Sequence, residues 1–245
     1  MKICTLKRIR KLYHNGSVCV CGQRGTGKDL LMGNVAVRSP RYYANIDYGG
    51  NFCPIDFTKL DIQNDYTDLV NGNVKTYVYP YEQGVDLFVS DIGVYFPSQY
   101  CNELNKKYPR IPYFLALSRQ LTKGASLHWN CQALPRCWDK FREQSDTYIL
   151  TRGVFKPLLR LGLVIQRVRV YELYDSCVRR VPPFRLPKPS IASNKEIKQN
   201  YEIEKSRYEQ TNGYVKDYLV VYRNKAKYDT YHFKTLLESS QTSCD

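Results

Sequence analysis

Histidine is scarce: His14, His128 and His232 lie far apart, and none of the nine cysteines stands in a Cys-x-x-Cys pair. Zinc-type ligand spacing is therefore absent. The cysteine number is odd and several sit inside apolar runs, where a reduced thiol behaves as a small hydrophobe. No export leader is visible, so a reducing cytosolic compartment is the expectation. No apolar run suits a bilayer span either: residues 158–165 are too few, contain Arg160 and are followed by Arg167. Acidic residues are outnumbered, 23 against 37 Lys and Arg, for a formal net charge of +14. Such an excess points to a polyanionic partner, nucleic acid or an acidic membrane surface. The 22 tyrosines follow no alternating aromatic–basic RNA-binding pattern. With 43 % hydrophobic and 24 % charged residues the composition is that of a globular protein, and 245 residues suffice for one large domain or a domain with a small appendage.

One stretch, residues 17–38, organises the rest. A short apolar run at 18–21 fits a buried strand, a glycine-rich turn covers 22–27, and Leu30, Leu31, Val35 and Val37 follow at roughly helical spacing. Strand, glycine loop and helix in that order make a phosphate cradle: backbone N–H groups turn toward one anion and the helix start adds partial positive charge. The expected nucleotide contacts are Gly22, Gln23, Arg24, Gly25, Thr26, Gly27, Lys28, Asp29 and Leu30, with Lys28 reaching the β- and γ-phosphates. A P-loop normally carries Ser or Thr after its lysine to bind Mg²⁺. Here Asp29 stands there; a carboxylate binds a hard cation directly but repels phosphate. The bland alternative is a glycine turn capped by an Asp at a helix start.

Ser39-Pro40 stops the first helix, and 42–46 reads as a second strand. Residues 47–73 are a turn-rich connection with one short helix near 57–60, and 74–79 are strand-like. A buried strand at 85–91 then ends in Asp91, placed to hold magnesium at the carboxyl end of a parallel sheet. Ile92 follows where many ATPases of this kind place a catalytic Glu, leaving Glu103, Asp86, Glu82 and Asp29 as open candidates for a base. An amphipathic helix is expected over 111–123, a strand over 125–133 ending at Gln132, a short helix from Pro135 carrying Trp138, Asp139 and Arg142, and a strand at 147–151. Residues 154–174 read as a β-hairpin turning near Leu161-Gly162, with Arg160, Arg167 and Arg169 on its exposed side as a nucleic-acid surface or a solvated face. Residues 2–11 are basic enough to touch phosphates or lipid head groups. The prolines of 181–193 make a linker, and 194–245 is expected to be an arm, helical over 194–210, that docks on a neighbouring subunit or partner.

The order of Gly22-Gln-Arg-Gly-Thr-Gly-Lys28, Tyr42-Tyr-Ala-Asn-Ile46, Leu87-Phe-Val-Ser-Asp91, Ile111-Pro-Tyr-Phe-Leu-Ala-Leu-Ser-Arg119, Asn130-Cys-Gln132 and Trp138-Asp-Lys-Phe-Arg142 resembles the Zot (zonula occludens toxin-like) family. That family includes filamentous-phage assembly ATPases and belongs to the FtsK–HerA group of P-loop motors. The resemblance covers about residues 15–175 and implies an α/β, RecA-like P-loop NTPase fold with a central, mainly parallel sheet. It gives an ATPase domain over 1–180, ATP with Mg²⁺ as cofactors, and a homo-oligomeric ring, expected to be a hexamer. It further implies that Lys28 and Asp91 are catalytic, Gln132 takes a sensor role, Arg119 or Arg142 is a finger reaching a neighbour's ATP, and Asp29 and Asp91 hold the metal. Filamentous-phage members carry a transmembrane helix after this domain and this chain shows none. The expectation is thus a motor loading single-stranded DNA into a preformed capsid, in the host cytoplasm, virion-associated or peripheral at a membrane. The alternatives are a ring scaffold that binds nucleotide without turnover, or a peripheral membrane assembly factor.

Overall fold

The computed structural model describes residues 2–14, 16–56, 60, 81–112, 114–116, 123–155, 158, 161–173, 186, 188–190 and 192–227. Its elements are β1 (Lys2–Thr5), α1 (Leu6–His14), β2 (Val18–Cys21), α2 (Lys28–Ala36), β3 (Tyr42–Ala44), β4 (Phe52–Pro54), β5 (Leu87–Val89), α3 (Ile92–Tyr95), α4 (Cys101–Lys107), β6 (Leu127–Cys131), α5 (Asp139–Glu143), β7 (Thr147–Val154), β8 (Leu163–Leu173), α6 (Lys195–Thr211) and β9 (Gly213–Arg223). The nine strands form one sheet in the order β1-β9-β8-β7-β2-β6-β5-β3-β4. From β7 across to β4 every pairing is parallel, β7–β8–β9 is an antiparallel meander, and β1 lies parallel to β9 at the edge. The fold is mixed α/β, as expected, with the glycine-loop strand β2 in the middle.

Both faces of β2 are buried, as a central parallel strand requires. Val18 and Val20 join an apolar cluster with α1, α2 and Tyr48, whereas Cys19 and Cys21 face a second cluster with Ile92, Phe114, Trp129, Trp138 and Phe141. Residues 2–11, expected as a basic segment for phosphates or lipid head groups, also have a structural part in β1 and α1. Leu6, Ile9 and Tyr13 recur at helical spacing and are buried against the sheet, leaving Lys7, Arg8 and Lys11 outside. Among the described residues no helix is long and apolar enough to cross a membrane.

The C-terminal arm needs correction. α6 forms where a helix was expected, but β9 is a strand of the main sheet rather than an appendage. Its charges disguised it. Lys216 bonds both carboxylate oxygens of Glu172 at 3.0 Å, and Asp217 meets its register partner Arg169, so strand-interior charges are neutralised by β8. The hairpin is also present, but of the arginines expected on its exposed side only Arg167 is exposed among the described residues. Arg169 is fully buried because α6 covers that face: its guanidinium grips Asp217 through two bonds of 2.8 and 2.9 Å and donates to the Leu186 carbonyl at 2.9 Å. Arg160, Arg119, the strand expected at 74–79, most of the short helix near 57–60, the linker over 181–185 and residues 228–245 lie outside the described residues.

Candidate nucleotide-binding site

The glycine loop joins β2 to α2 with Gly25 at φ 79° and Gly27 at φ 84°, the left-handed region where glycine is unstrained. Gly27 is constrained twice, since an added Cβ would lie 2.5 Å from Val154 Cγ2 and 2.9 Å from Gln166 Nε2. The loop is braced from the meander. Gln166 Nε2 donates to the carbonyls of Thr26 and Gly27 at 3.0 and 2.8 Å, and its Oε1 accepts from Tyr222 at 2.9 Å. Thr26 Oγ1 bonds Gln23 O at 2.7 Å and lies 2.8 Å from Thr151 Oγ1 on β7. Gln23, Arg24 and Gly25 form the exposed crest, while Leu30 turns into the core.

Lys28 is buried, yet its Nζ makes one long contact, 3.4 Å to Gln23 O, and no ion pair among the described residues. A buried ammonium so thinly satisfied is prepared for an anion. Asp29 points instead to the strand tips. Its Oδ1 accepts from Ser90 Oγ at 2.8 Å and from Asn130 Nδ2 at 2.7 Å, and Ser90 Oγ in turn hydrogen-bonds the Tyr48 hydroxyl. Asn45, just past β3, brackets Ser90 from the other side through both backbone groups. Asp91 caps α3 at φ 48°, a left-handed conformation uncommon for a side-chain-bearing residue. Its amide donates to Asn130 Oδ1 at 2.8 Å, so the backbone is pinned while the carboxylate accepts no hydrogen bond among the described residues. Burial, then the charge of Asp29, push Asp91 up to about 6, with Lys28 pulling the other way. Lys28, Asp29 and Asp91 are thus brought together at the carboxyl ends of β2, β5 and β6, where ligands of parallel sheets bind.

These residues fit a nucleotide with its metal. Mg²⁺ takes one or two carboxylates and completes its shell with phosphate oxygens and water. Asp91 and the second oxygen of Asp29, which accepts nothing among the described residues, are donors of that kind, and a cation would displace the proton that Asp91 holds too readily.

Gln132, expected to be the sensor, is exposed just beyond β6 and makes no hydrogen bond among the described residues. A polar residue that does touch the site is Asn130, fully buried two residues earlier, and its signal was an amide inside the strand-like run Leu127-His-Trp-Asn-Cys. Arg142 is half-buried; its Nε has no partner among the described residues, and its charge, with that of Lys28, reaches the Cys131 thiol at the β6 tip. Three candidate bases are elsewhere. Asp86 precedes β5, at the opposite end from Asp91, bonded to Ser126 N at 3.0 Å; Glu82 pairs with Arg41; Glu103 is exposed on α4. Ile92 is fully buried.

No protein-family model matches the sequence, and no curated protein matches it either. Solved structures similar in fold include the N-terminal domain of zonular occludens toxin from Neisseria meningitidis, 15 % identical, covering 64 % of this chain and 84 % of that one with a TM-score of 0.40. The genome packaging NTPase B204 of Sulfolobus turreted icosahedral virus 2, in complex with ATP-gammaS, is 14 % identical over 64 % of this chain and 91 % of its own, with a TM-score of 0.39. EssC ATPases 2 and 3 from Geobacillus thermodenitrificans are 11 % identical over 83 % of this chain and 46 % of theirs, with a TM-score of 0.35.

Proposed function

We propose that the chain is a P-loop ATPase of virion assembly or genome packaging, binding ATP–Mg²⁺ at the loop 22–29 and using hydrolysis to move single-stranded DNA. The observation that carries the reading is the constellation at the strand tips: a buried, under-coordinated Lys28 following left-handed Gly25 and Gly27, opposite an Asp91 whose carboxylate is unengaged among the described residues. Phosphates would lie against the loop amides and Lys28, and Asp91 with Asp29 would hold the metal, whose bound form polarises the γ-phosphate. Asn130 would register the γ-phosphate through its bonds to both acidic residues. Ring assembly, a finger arginine from a neighbour, and a capsid or other virion protein as partner complete the reading, on the strength of the sequence resemblance.

Phosphate release with ATP and Mg²⁺, with and without single-stranded DNA, tests it. DNA-stimulated turnover that Lys28→Ala and Asp91→Ala both abolish supports the motor; turnover unchanged in Lys28→Ala overturns it. A second reading, a nucleotide-binding ring scaffold without turnover, is favoured by Ile92 in place of an acidic residue and by the engagement of Asp29 with Ser90 and Asn130. Tight ATP binding with no phosphate release in the presence of DNA would select it.

A further inference from the structure

α1 carries a second charged site, on the opposite margin of the sheet from β4. A groove of about 510 Å³ opens between this helix and β9, lined by Lys7, Arg8, Lys11 and Thr5, with Tyr218 and Glu172 along its floor. Lys7, Arg8 and Lys11 stand at i, i+1 and i+4, so Lys7–Lys11 and Arg8–Lys11 are neighbours on the helix surface, with Cβ atoms about 5–6 Å apart. All three are exposed and none makes an ion pair among the described residues. On α6, by contrast, Arg207 pairs with Glu204 at 2.7 Å and Lys205 with Glu209 at 3.4 Å. The one carboxylate of the groove, Glu172, is already neutralised by both bonds from Lys216. No acidic residue occurs in the sequence before Asp29, so nothing local offsets these charges.

We propose that this groove binds the backbone of single-stranded nucleic acid, Lys7, Arg8 and Lys11 holding successive phosphates; the proposal rests on the nucleic-acid partner of the functional reading and gives it a location. Arg8 is pre-set for the task, its guanidinium held 5.2 Å over the Tyr218 ring with its edges open to an anion. A stacking surface adjoins: Tyr214, half exposed, is the register partner of Glu172, and Lys216 lies 5.3 Å from its ring centroid. An aromatic face beside a row of cations is the pairing that single strands use, bases stacking while phosphates are neutralised. A membrane is disfavoured, because the apolar face of α1 that would enter lipid, Leu6, Ile9 and Tyr13, is already spent on the core. The hairpin exposes Arg152 and Arg167 among the described residues, on neighbouring strands rather than in a row along one helix.

The test titrates a fluorescein-labelled oligothymidylate with the full chain and with Lys7→Gln/Arg8→Gln/Lys11→Gln, substitutions that remove the charges and keep helix propensity. Binding should weaken about 10- to 100-fold at low salt, and the slope of log K against log salt should shrink by about two, the release expected of three single-strand phosphate contacts. Binding of a fluorescent ATP analogue at the loop should stay unchanged, which reports an intact fold, and Arg167→Gln should weaken the oligonucleotide far less. Equal oligonucleotide affinity in parent and triple variant overturns the groove while leaving the functional reading intact. Absence of binding by the parent removes the nucleic-acid partner and the groove together. Co-sedimentation of the parent with phosphatidylserine vesicles, lost in the triple variant while oligonucleotide binding persists, reassigns these cations to lipid and also overturns it.

Discussion

Asn130 donates to Asp29 Oδ1 over 2.7 Å and accepts the Asp91 amide at 2.8 Å, so one buried amide ties the helix behind the glycine loop to the tip of β5. Asn130→Leu fills the volume but orphans the Asp91 amide and leaves Asp29 Oδ1 with Ser90 alone. We expect a stability loss of about 1–3 kcal/mol per orphaned group, read by urea unfolding. The same variant should bind ATP–Mg²⁺ more weakly in a fluorescence titration, whereas Gln132→Leu should leave both readings near the parent.

Asp91 gives a pH signature. Its pKa is about 6 in the folded chain against an ordinary 3.8, raised by burial and then by Asp29. Between those values the folded chain holds the proton more tightly than the unfolded chain, so this contribution is present at low pH and disappears as pH rises through the folded value. Without nucleotide or metal, Asp91→Asn should therefore gain thermal stability relative to the parent from about pH 4 to about pH 7. A difference in melting temperature that stays flat across this range removes the effect. The buried His128, pushed by desolvation down to about 3, titrates equally in both chains and cancels.

Gly33 allows the Tyr48 ring to lie against α2. A Cβ there would sit 2.4 Å from Tyr48 Cδ1, and the ring is fully buried and tethered through its hydroxyl to Ser90. Alanine would gain about 1 kcal/mol in helix propensity, but forcing the ring aside costs about 1–3 kcal/mol. Gly33→Ala should be net destabilising in a thermal melt and should perturb nucleotide binding through Ser90 and Asp29.

Arg169 and Asp217 form a buried bidentate pair, and Tyr201 of α6 donates to the same carboxylate at 3.2 Å. Burial alone would raise the Asp217 pKa, but Arg169 more than offsets it and the value is lowered. The pair therefore stabilises above the ordinary carboxylate range, and that contribution is lost as acid drives pH below it. Arg169→Met leaves the carboxylate buried without its cation and should cost about 3–5 kcal/mol by denaturant unfolding. Adding Asp217→Leu should recover much of the loss.

The glycine loop, its flanking strand and helix, and Asp91 were legible because each depends on local chemistry: positive φ, a helix start, a short apolar run closed by a carboxylate. Asn130 was not, because its partners come from α2 and from beyond β5, and only the fold brings them within bonding distance. The fate of Arg169 and of β9 hid for the same reason. An arginine alternating with valines looks solvent-facing until a helix from another part of the chain covers it, and Lys216-Asp217 looks unlike a strand until Glu172 and Arg169 stand opposite. Residues 2–14 advertised their charge more loudly than the Leu6, Ile9 and Tyr13 stripe that seats them.

Lys2 stands opposite Tyr218, so the first strand of the sheet pairs with the last. On the ribosome β1 has no seat until β9 emerges, a wait of about 10–40 s at about 5–20 residues per second. Throughout that interval α1 must keep its apolar stripe from other chains, and the unpaired cations on its outer side supply mutual repulsion between nascent copies. A fragment ending before Gly213 would retain the glycine loop but leave the sheet without its closing edge, and aggregation of that fragment in refolding would follow from its open β8.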